Sequence, residues 1–168
     1  MVIVKWAILA VIGLYLVALL AVYFAQRGFM YFPPEEVVPS WFLDEYDEQI
    51  LPISVAGIGE IKSIYSPPPE EGAPVILFIH GNGSAAYQYT DHFAAFKAWG
   101  VGYLAVEFPG YAGNPGVPNE TNILRTSLAN YDRLIDKGIQ PGNIVIYGDS
   151  LGAACAVHVA SERQSAGL

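Results

Sequence analysis

One serine carries the strongest chemical signal in the chain. It stands in Asn143-Ile-Val-Ile-Tyr-Gly-Asp-Ser-Leu-Gly152, where an apolar run enters Gly148-Asp149-Ser150-Leu151-Gly152 and a small-residue run, Ala153 to Ala160, follows at once. That order predicts a strand, a sharp turn and a helix, with Ser150 at the apex. So tight a turn strains the backbone at the serine, and glycine two places either side keeps neighbouring side chains from colliding. The serine oxygen is lifted above the sheet, and the first helix N–H groups point at whatever it attacks. Ser150 is read as a nucleophile, and the Leu151 N–H directly after it as a donor to the negative charge of acyl transfer. The bland alternative is an ordinary strand-to-helix turn with a serine N-cap.

The elements that must hold this serine follow from the pattern upstream. Gln49–Ala56 and Glu60–Ser66 read as short strands around Gly57-Ile58-Gly59, a hairpin. Val75–Ile79 is a continuous apolar run, as expected of a strand covered on both faces. It ends at His80-Gly81-Asn82-Gly83-Ser84, where Gly81 and Gly83 allow close approach to a substrate. Ala85–Trp99 has Phe93, Phe96 and Trp99 at helical spacing, and Val101–Phe108 is strand again, broken by Pro109-Gly110-Tyr111. Thr121–Lys137 is helical, with Leu124, Leu128, Tyr131, Leu134 and Ile135 on one side. Strand–helix alternation of this kind implies right-handed crossovers and a mainly parallel sheet.

The N-terminal stretch is of a different kind. Trp6 to Ala25 holds twenty residues without a charge, about 30 Å of helix, the thickness of a bilayer core. Trp6 at one end and Tyr23 and Phe24 at the other resemble interfacial aromatic belts. No small-x-small cleavage site stands before Arg27, so a single-pass anchor is favoured over a cleaved signal peptide. Lys5 with the amino terminus opposes a lone Arg27, and Glu35 and Glu36 follow, a balance that places the soluble domain on the extracytoplasmic side. Residues 28–48 form a proline-broken connector whose aromatics can lie along headgroups or pack on the domain. The expected division is 1–27 anchor, 28–48 connector and 49–168 catalytic-type domain.

Net charge is −8 and no Lys or Arg run occurs, which argues against nucleic acid or an anionic surface as partner. The single cysteine, Cys155, rules out an internal disulfide and a cysteine metal cluster, and reads as a buried inert thiol. Three scattered histidines show no metal-ligand spacing, and neither G-x-G-x-x-G nor G-x-x-x-x-G-K-[ST] is present. Neither a metal nor a cofactor is expected.

Taken in order and spacing, His80-Gly-Asn-Gly-Ser, Phe108-Pro-Gly-Tyr111 and Tyr147-Gly-Asp-Ser-Leu-Gly152 resemble the α/β-hydrolase superfamily. Within it, the tract Phe29-Met-Tyr-Phe-Pro-Pro34 after an N-terminal helix is similar to the BEM46-like membrane-anchored serine hydrolases. The resemblance implies an α/β fold, here an incomplete α/β-hydrolase fold with a mainly parallel sheet flanked by helices, after one transmembrane helix. It also implies an oxyanion hole built from the N–H groups of Leu151 and Asn82. His80, Gly81 and Gly83 then support that loop, Gly148 and Gly152 support the elbow, and Tyr111 belongs to the pocket rim. The substrate expected is a small-molecule or lipid-like ester, thioester or amide. Gly148-Asp-Ser-Leu151 also spells the block of the GDSL lipases, but there it opens the domain, and here it follows three strands of another pattern.

The partners of the serine are the difficulty. In α/β-hydrolases the acid and the histidine follow the serine in chain order, and eighteen residues follow Ser150. His158 lies eight residues along the same helix, about 12 Å by helical rise, whereas a base must come within about 3 Å of its proton. His92 reads as a surface residue, and Asp149 is too weak a base alone. The expectation is an N-terminal portion of a hydrolase with little activity by itself. Ile144, Val145 and Ile146 are expected on an unpaired sheet edge, a route to self-association. A non-catalytic membrane-tethered binding or scaffold protein with the same half-sheet is the alternative.

Overall fold

A computed structural model describes residues 2–168, so residue 1 of the expected anchor lies outside the described residues. Contacts divide the chain into two units, Met1–Phe32 and Pro33–Leu168. The first is essentially one helix, α1 (Val2–Met30), with no buried residue. It is long and apolar enough to cross a membrane, and at 1.5 Å per residue it measures about 43 Å. It runs past the expected Ala25 end, with Arg27 in the last turn, where a cation complements the helix dipole.

The second unit is a five-stranded mixed sheet with helices on both faces. Strand β1 (Gln49–Val55) buries Leu51, Ile53 and Val55 in strict alternation, and it pairs antiparallel with β2 (Gly59–Ser66) as the hairpin reading predicts. Gly57 and Gly59 supply the positive φ that turn needs (76° and 121°). Strands β3 (Val75–Ile79) and β4 (Gly102–Val106) are buried throughout. With β5 (Ile144–Gly148) they complete the order β1-β2-β4-β3-β5. β3 runs parallel to both β4 and β5, while β2 meets β4 antiparallel.

Side chains alternate across the central strands. Ile76, Phe78, Tyr103 and Ala105 enter an aromatic core with Phe93 and Phe96 of α3 (Thr90–Ala98). Phe42 joins them from α2 (Ser40–Tyr46), so part of the connector packs on the domain. The connector's ambiguity resolves for Phe42 because its ring lies within 6.3 Å of Phe93 and stacks on Tyr46 at 5.1 Å. On the other face, α4 (Glu120–Asp136) packs against β1, β3 and β4, and α5 (Leu151–Glu162) against β3 and β5. Asn119 caps α4 by accepting the Asn122 N–H at 2.9 Å.

Two local features depart from the sequence reading. The helix expected over Ala85–Trp99 is broken at Tyr89 (φ −93°, ψ 41°), leaving a 3-10 turn at Ala86–Gln88 before α3. The outer edge of β5, expected bare, is partly covered. The Ala166 N–H donates to the Ile144 carbonyl at 2.7 Å, and the Ile146 N–H donates to the Gly167 carbonyl at 3.0 Å. Arg163 holds that tail with two bonds to Asp132, at 2.8 and 3.0 Å, and the Tyr131 hydroxyl donates to the Gln164 carbonyl. These bonds connect segments about twenty to thirty residues apart, which no local pattern announces.

Candidate active site

Strand β5 ends at Gly148 and α5 begins at Leu151, so the turn between them is two residues long. Ser150 has φ 50° and ψ −112°, one of three non-glycine residues with positive φ among the described residues. Such a backbone costs about 1–3 kcal/mol and persists only where its surroundings enforce it. The enforcement is visible. The Asp149 N–H donates to the Ile79 carbonyl at 2.9 Å, extending the β3–β5 ladder into the turn, and the Gly152 N–H returns to the Asp149 carbonyl at 2.7 Å.

A Cβ on Gly148 would stand 2.3 Å from the Gly152 carbonyl oxygen, and one on Gly152 would stand 2.0 Å from that of Ile79. Neither position has room for a side chain. Ser150 itself is exposed. The Leu151 N–H opens α5, where helix geometry leaves amides without an intrahelical acceptor.

The second loop leaves β3 at His80. Its imidazole is fully buried, with Nδ1 2.7 Å from the Gly81 carbonyl and Nε2 2.8 Å from Glu107 Oε1. Both ring nitrogens are therefore committed, which suits a brace and leaves none for Ser150. Glu107 is equally buried. Its Oε2 accepts the Ala86 N–H at 2.9 Å and its Oε1 accepts the Phe108 N–H at 3.1 Å. Tyr111 is enclosed rather than exposed, and its hydroxyl donates to Asn82 Oδ1 at 2.7 Å. Gly83 takes a φ of 74°.

The two loops meet at Gly81. A Cβ there would lie 3.1 Å from Asp149 Oδ2, 3.2 Å from the Tyr89 hydroxyl and 3.5 Å from Ser150 Cβ. The His80–Ser84 loop and the Ser150 elbow thus sit against one another, and a side chain at Gly81 would crowd the contact. Tyr89 received no role in the sequence reading. Its hydroxyl accepts the Gly81 N–H at 3.1 Å and donates to Asp149 Oδ2 at 2.8 Å. Only the break in the helix brings it there, and no spacing rule would have found it.

Among the described residues neither of the other histidines is hydrogen-bonded to the serine. His92 packs among Phe78, Tyr89, Phe96 and Tyr147, with ring centroids 5.4–6.3 Å away. His158 is half-buried, two turns along α5. Cys155 is buried in the same helix, and burial pushes its thiol up to about 11. Among the described residues no group of His, Cys, Asp and Glu is placed to hold a metal ion.

Comparison with known proteins agrees with this geometry. The family model for the "Alpha/beta hydrolase family" matches residues 76–167. An uncharacterized protein of Mycobacterium tuberculosis is 30% identical over 151 residues, covering 85% of this chain and 52% of its own length. Among solved structures, an alpha-beta hydrolase from Vibrio vulnificus superposes with a TM-score of 0.65 at 24% identity, over 78% of this chain and 49% of that one. The Pyrococcus furiosus esterase Pf2001 gives 0.64 at 19% identity, over 77% and 50%. The chain spans about half the length of each of these three proteins.

Proposed function

The chain belongs to the alpha/beta hydrolase family, and from that premise we propose that it carries the nucleophile and oxyanion hole of a membrane-tethered serine hydrolase. The observation that carries this reading is the exposed, strained Ser150 between β5 and α5 (φ 50°, ψ −112°). Ser150 Oγ attacks the carbonyl carbon of an ester, thioester or amide, and its proton passes to a base. The carbonyl oxygen becomes an anion held by the N–H groups of Leu151 and Asn82. Each such donor is worth about 3–4 kcal/mol in a water-poor site. The tetrahedral species collapses with loss of the alcohol, thiol or amine, and water then releases the acid from the acyl-serine. His80, Glu107 and Tyr111 act on this chemistry indirectly, by holding the Asn82 loop.

Among the described residues no base is hydrogen-bonded to Ser150. His80 is committed on both nitrogens, His92 packs among aromatic rings, and His158 lies two turns along α5. In this fold the acid and the histidine follow the serine in chain order, and this chain covers about half the length of the relatives compared above. The 168-residue polypeptide therefore turns over esters slowly. α1 supplies the anchor, with the domain on the extracytoplasmic side, an arrangement like that of the BEM46-like group. The placement of the histidines equally favours a second reading, a tethered binding or scaffold protein that retains the half-fold.

Labelling with a fluorophosphonate at several pH values, mapped by mass spectrometry, separates the two. A serine in an oxyanion site but without a base is labelled faster than a peptide serine, at a rate that climbs steadily from pH 7 to 9. An inflection near pH 6.5, the ordinary histidine range, would reveal a base and overturn the slow-turnover conclusion. Labelling no faster than in the urea-unfolded chain, or unchanged in Ser150→Ala, would leave only the scaffold reading.

A further inference from the structure

Each half of the site has its own braces, and one side chain joins the halves. Tyr89 sits at the break before α3, accepts the Gly81 N–H at 3.1 Å and donates to Asp149 Oδ2 at 2.8 Å. Gly81 immediately precedes Asn82, and Asp149 immediately precedes Ser150. Each end of the bridge is thus one residue from a group assigned to the reacting carbonyl. We propose that Tyr89 is a positioning residue that fixes the separation of the two oxyanion donors by coupling the His80–Ser84 loop to the Ser150 elbow. This rests on the assignment of Ser150 and Asn82 made above.

Three features make the bridge a stiff one. The contact at Gly81 is close, with a Cβ there meeting both Asp149 Oδ2 and the Tyr89 hydroxyl at 3.1–3.2 Å. The Tyr89 ring packs edge-on against Phe78 (centroids 4.8 Å, planes at 61°) and His92 (5.4 Å, 69°), contacts that favour this one placement of its hydroxyl. Burial raises the phenol's pKa, against the pull of the Gly81 N–H, so the hydroxyl keeps its proton and remains the donor to Asp149. The bridge also ties one carboxylate oxygen of Asp149 to a donor, beside the place where a second negative charge must form. Misplacing donors by about 1 Å can cost a hundredfold in rate.

The test uses the full chain in detergent micelles, with two readouts: the second-order rate of fluorophosphonate addition to Ser150, and hydrogen exchange at the Gly81 amide. Tyr89→Phe and Asp149→Ala are each expected to slow labelling about tenfold or more and to speed Gly81 exchange. The double variant should be no slower than either single one, because both remove the same bridge. Asp149→Asn keeps an oxygen acceptor and should recover most of what Asp149→Ala loses. A packing role alone would make Asn no better than Ala and the losses additive. Wild-type labelling by Tyr89→Phe, or additive losses, overturns the proposal. If Ser150 takes no label in the wild-type chain, the nucleophile assignment fails instead. Gly81 exchange then decides the bridge, and unchanged exchange in Tyr89→Phe overturns it.

Discussion

Replacing Gly152 by alanine tests the elbow at its tightest point. The new Cβ would stand 2.0 Å from the Ile79 carbonyl oxygen, 2.6 Å from its carbon and 2.7 Å from the His80 carbonyl oxygen. All three are backbone atoms, so no side chain can swing aside. Real Cβ contacts essentially never fall under 3.0 Å, and the start of α5 must therefore retreat from β3 by about 1 Å. Overpacking of that kind costs about 1–3 kcal/mol. The retreat also strains the Asp149 N–H bond to Ile79, 2.9 Å long, for about another 1 kcal/mol.

The expected loss is roughly 2–4 kcal/mol, a large part of the about 5–15 kcal/mol of an ordinary domain. At a urea slope of about 2 kcal/mol/M, the unfolding midpoint falls by roughly 1–2 M. Trp41 and Trp99 report it by fluorescence in micelles. Gly142→Ala is the control, since nothing lies within 4 Å of the atom it adds, and its effect should stay within about 0.5 kcal/mol. Equal midpoints for the two variants would refute the account of the elbow.

Other perturbations have outcomes of known sign. Glu107→Ala strips the acceptor from His80 Nε2 and from the Ala86 and Phe108 N–H groups, all buried; a loss of about 3–5 kcal/mol in the same titration is expected. The Cys155 thiol, raised from 9.0 to about 11 by burial, stays protonated longer in the folded state, so its contribution is intact below pH 9 and vanishes as pH climbs to 11. The loss is about 3 kcal/mol, and Cys155→Ala should flatten that part of a stability-against-pH curve. Leu14→Arg puts a charge in the middle of α1 at a cost of about 2.5–3.5 kcal/mol if the helix spans a bilayer; carbonate washing should then release the variant but not the parent.

What the sequence disclosed followed from how local each signal is. The Gly57–Gly59 hairpin and the buried run Val75–Ile79 are each set by a few consecutive residues, and each stands where its pattern puts it. The strand–turn–helix at Ser150 is equally local, and its φ of 50° follows from the squeeze between Gly148 and Gly152. The short helix that buries Phe42, the tail along β5 and the Tyr89 bridge depend on partners about twenty to sixty residues away. Their side chains choose between equivalent surroundings only after the sheet exists. Tyr111 shows the same limit: an aromatic after Pro-Gly suits a rim or an interior, and its bond to Asn82 across 29 residues decides for the interior.

The topology explains why the site arises where it does. From β3 the chain passes through α3 to β4 on one side, then through α4 to β5 on the other. The two crossovers occupy opposite faces, and the loops leaving β3 and β5 lie at the strands' carboxyl ends, the usual place for a ligand in such sheets. Parallel register sets Ile79 against Gly148, and neighbouring strands lie about 4.8 Å apart. Asn82 is three residues beyond one member of that pair and Ser150 two beyond the other. The ladder therefore brings the His80–Ser84 loop and the Ser150 elbow together before any side chain acts. What side chains then add is the last ångström: Gly81 permits contact, Tyr111 and the His80–Glu107 pair hold the loop, and Tyr89 joins it to Asp149. On the proposed reading, fluorophosphonate labelling of Ser150 should accordingly fall by degrees when a brace is lost, and fail all at once when the β3–β5 register is lost.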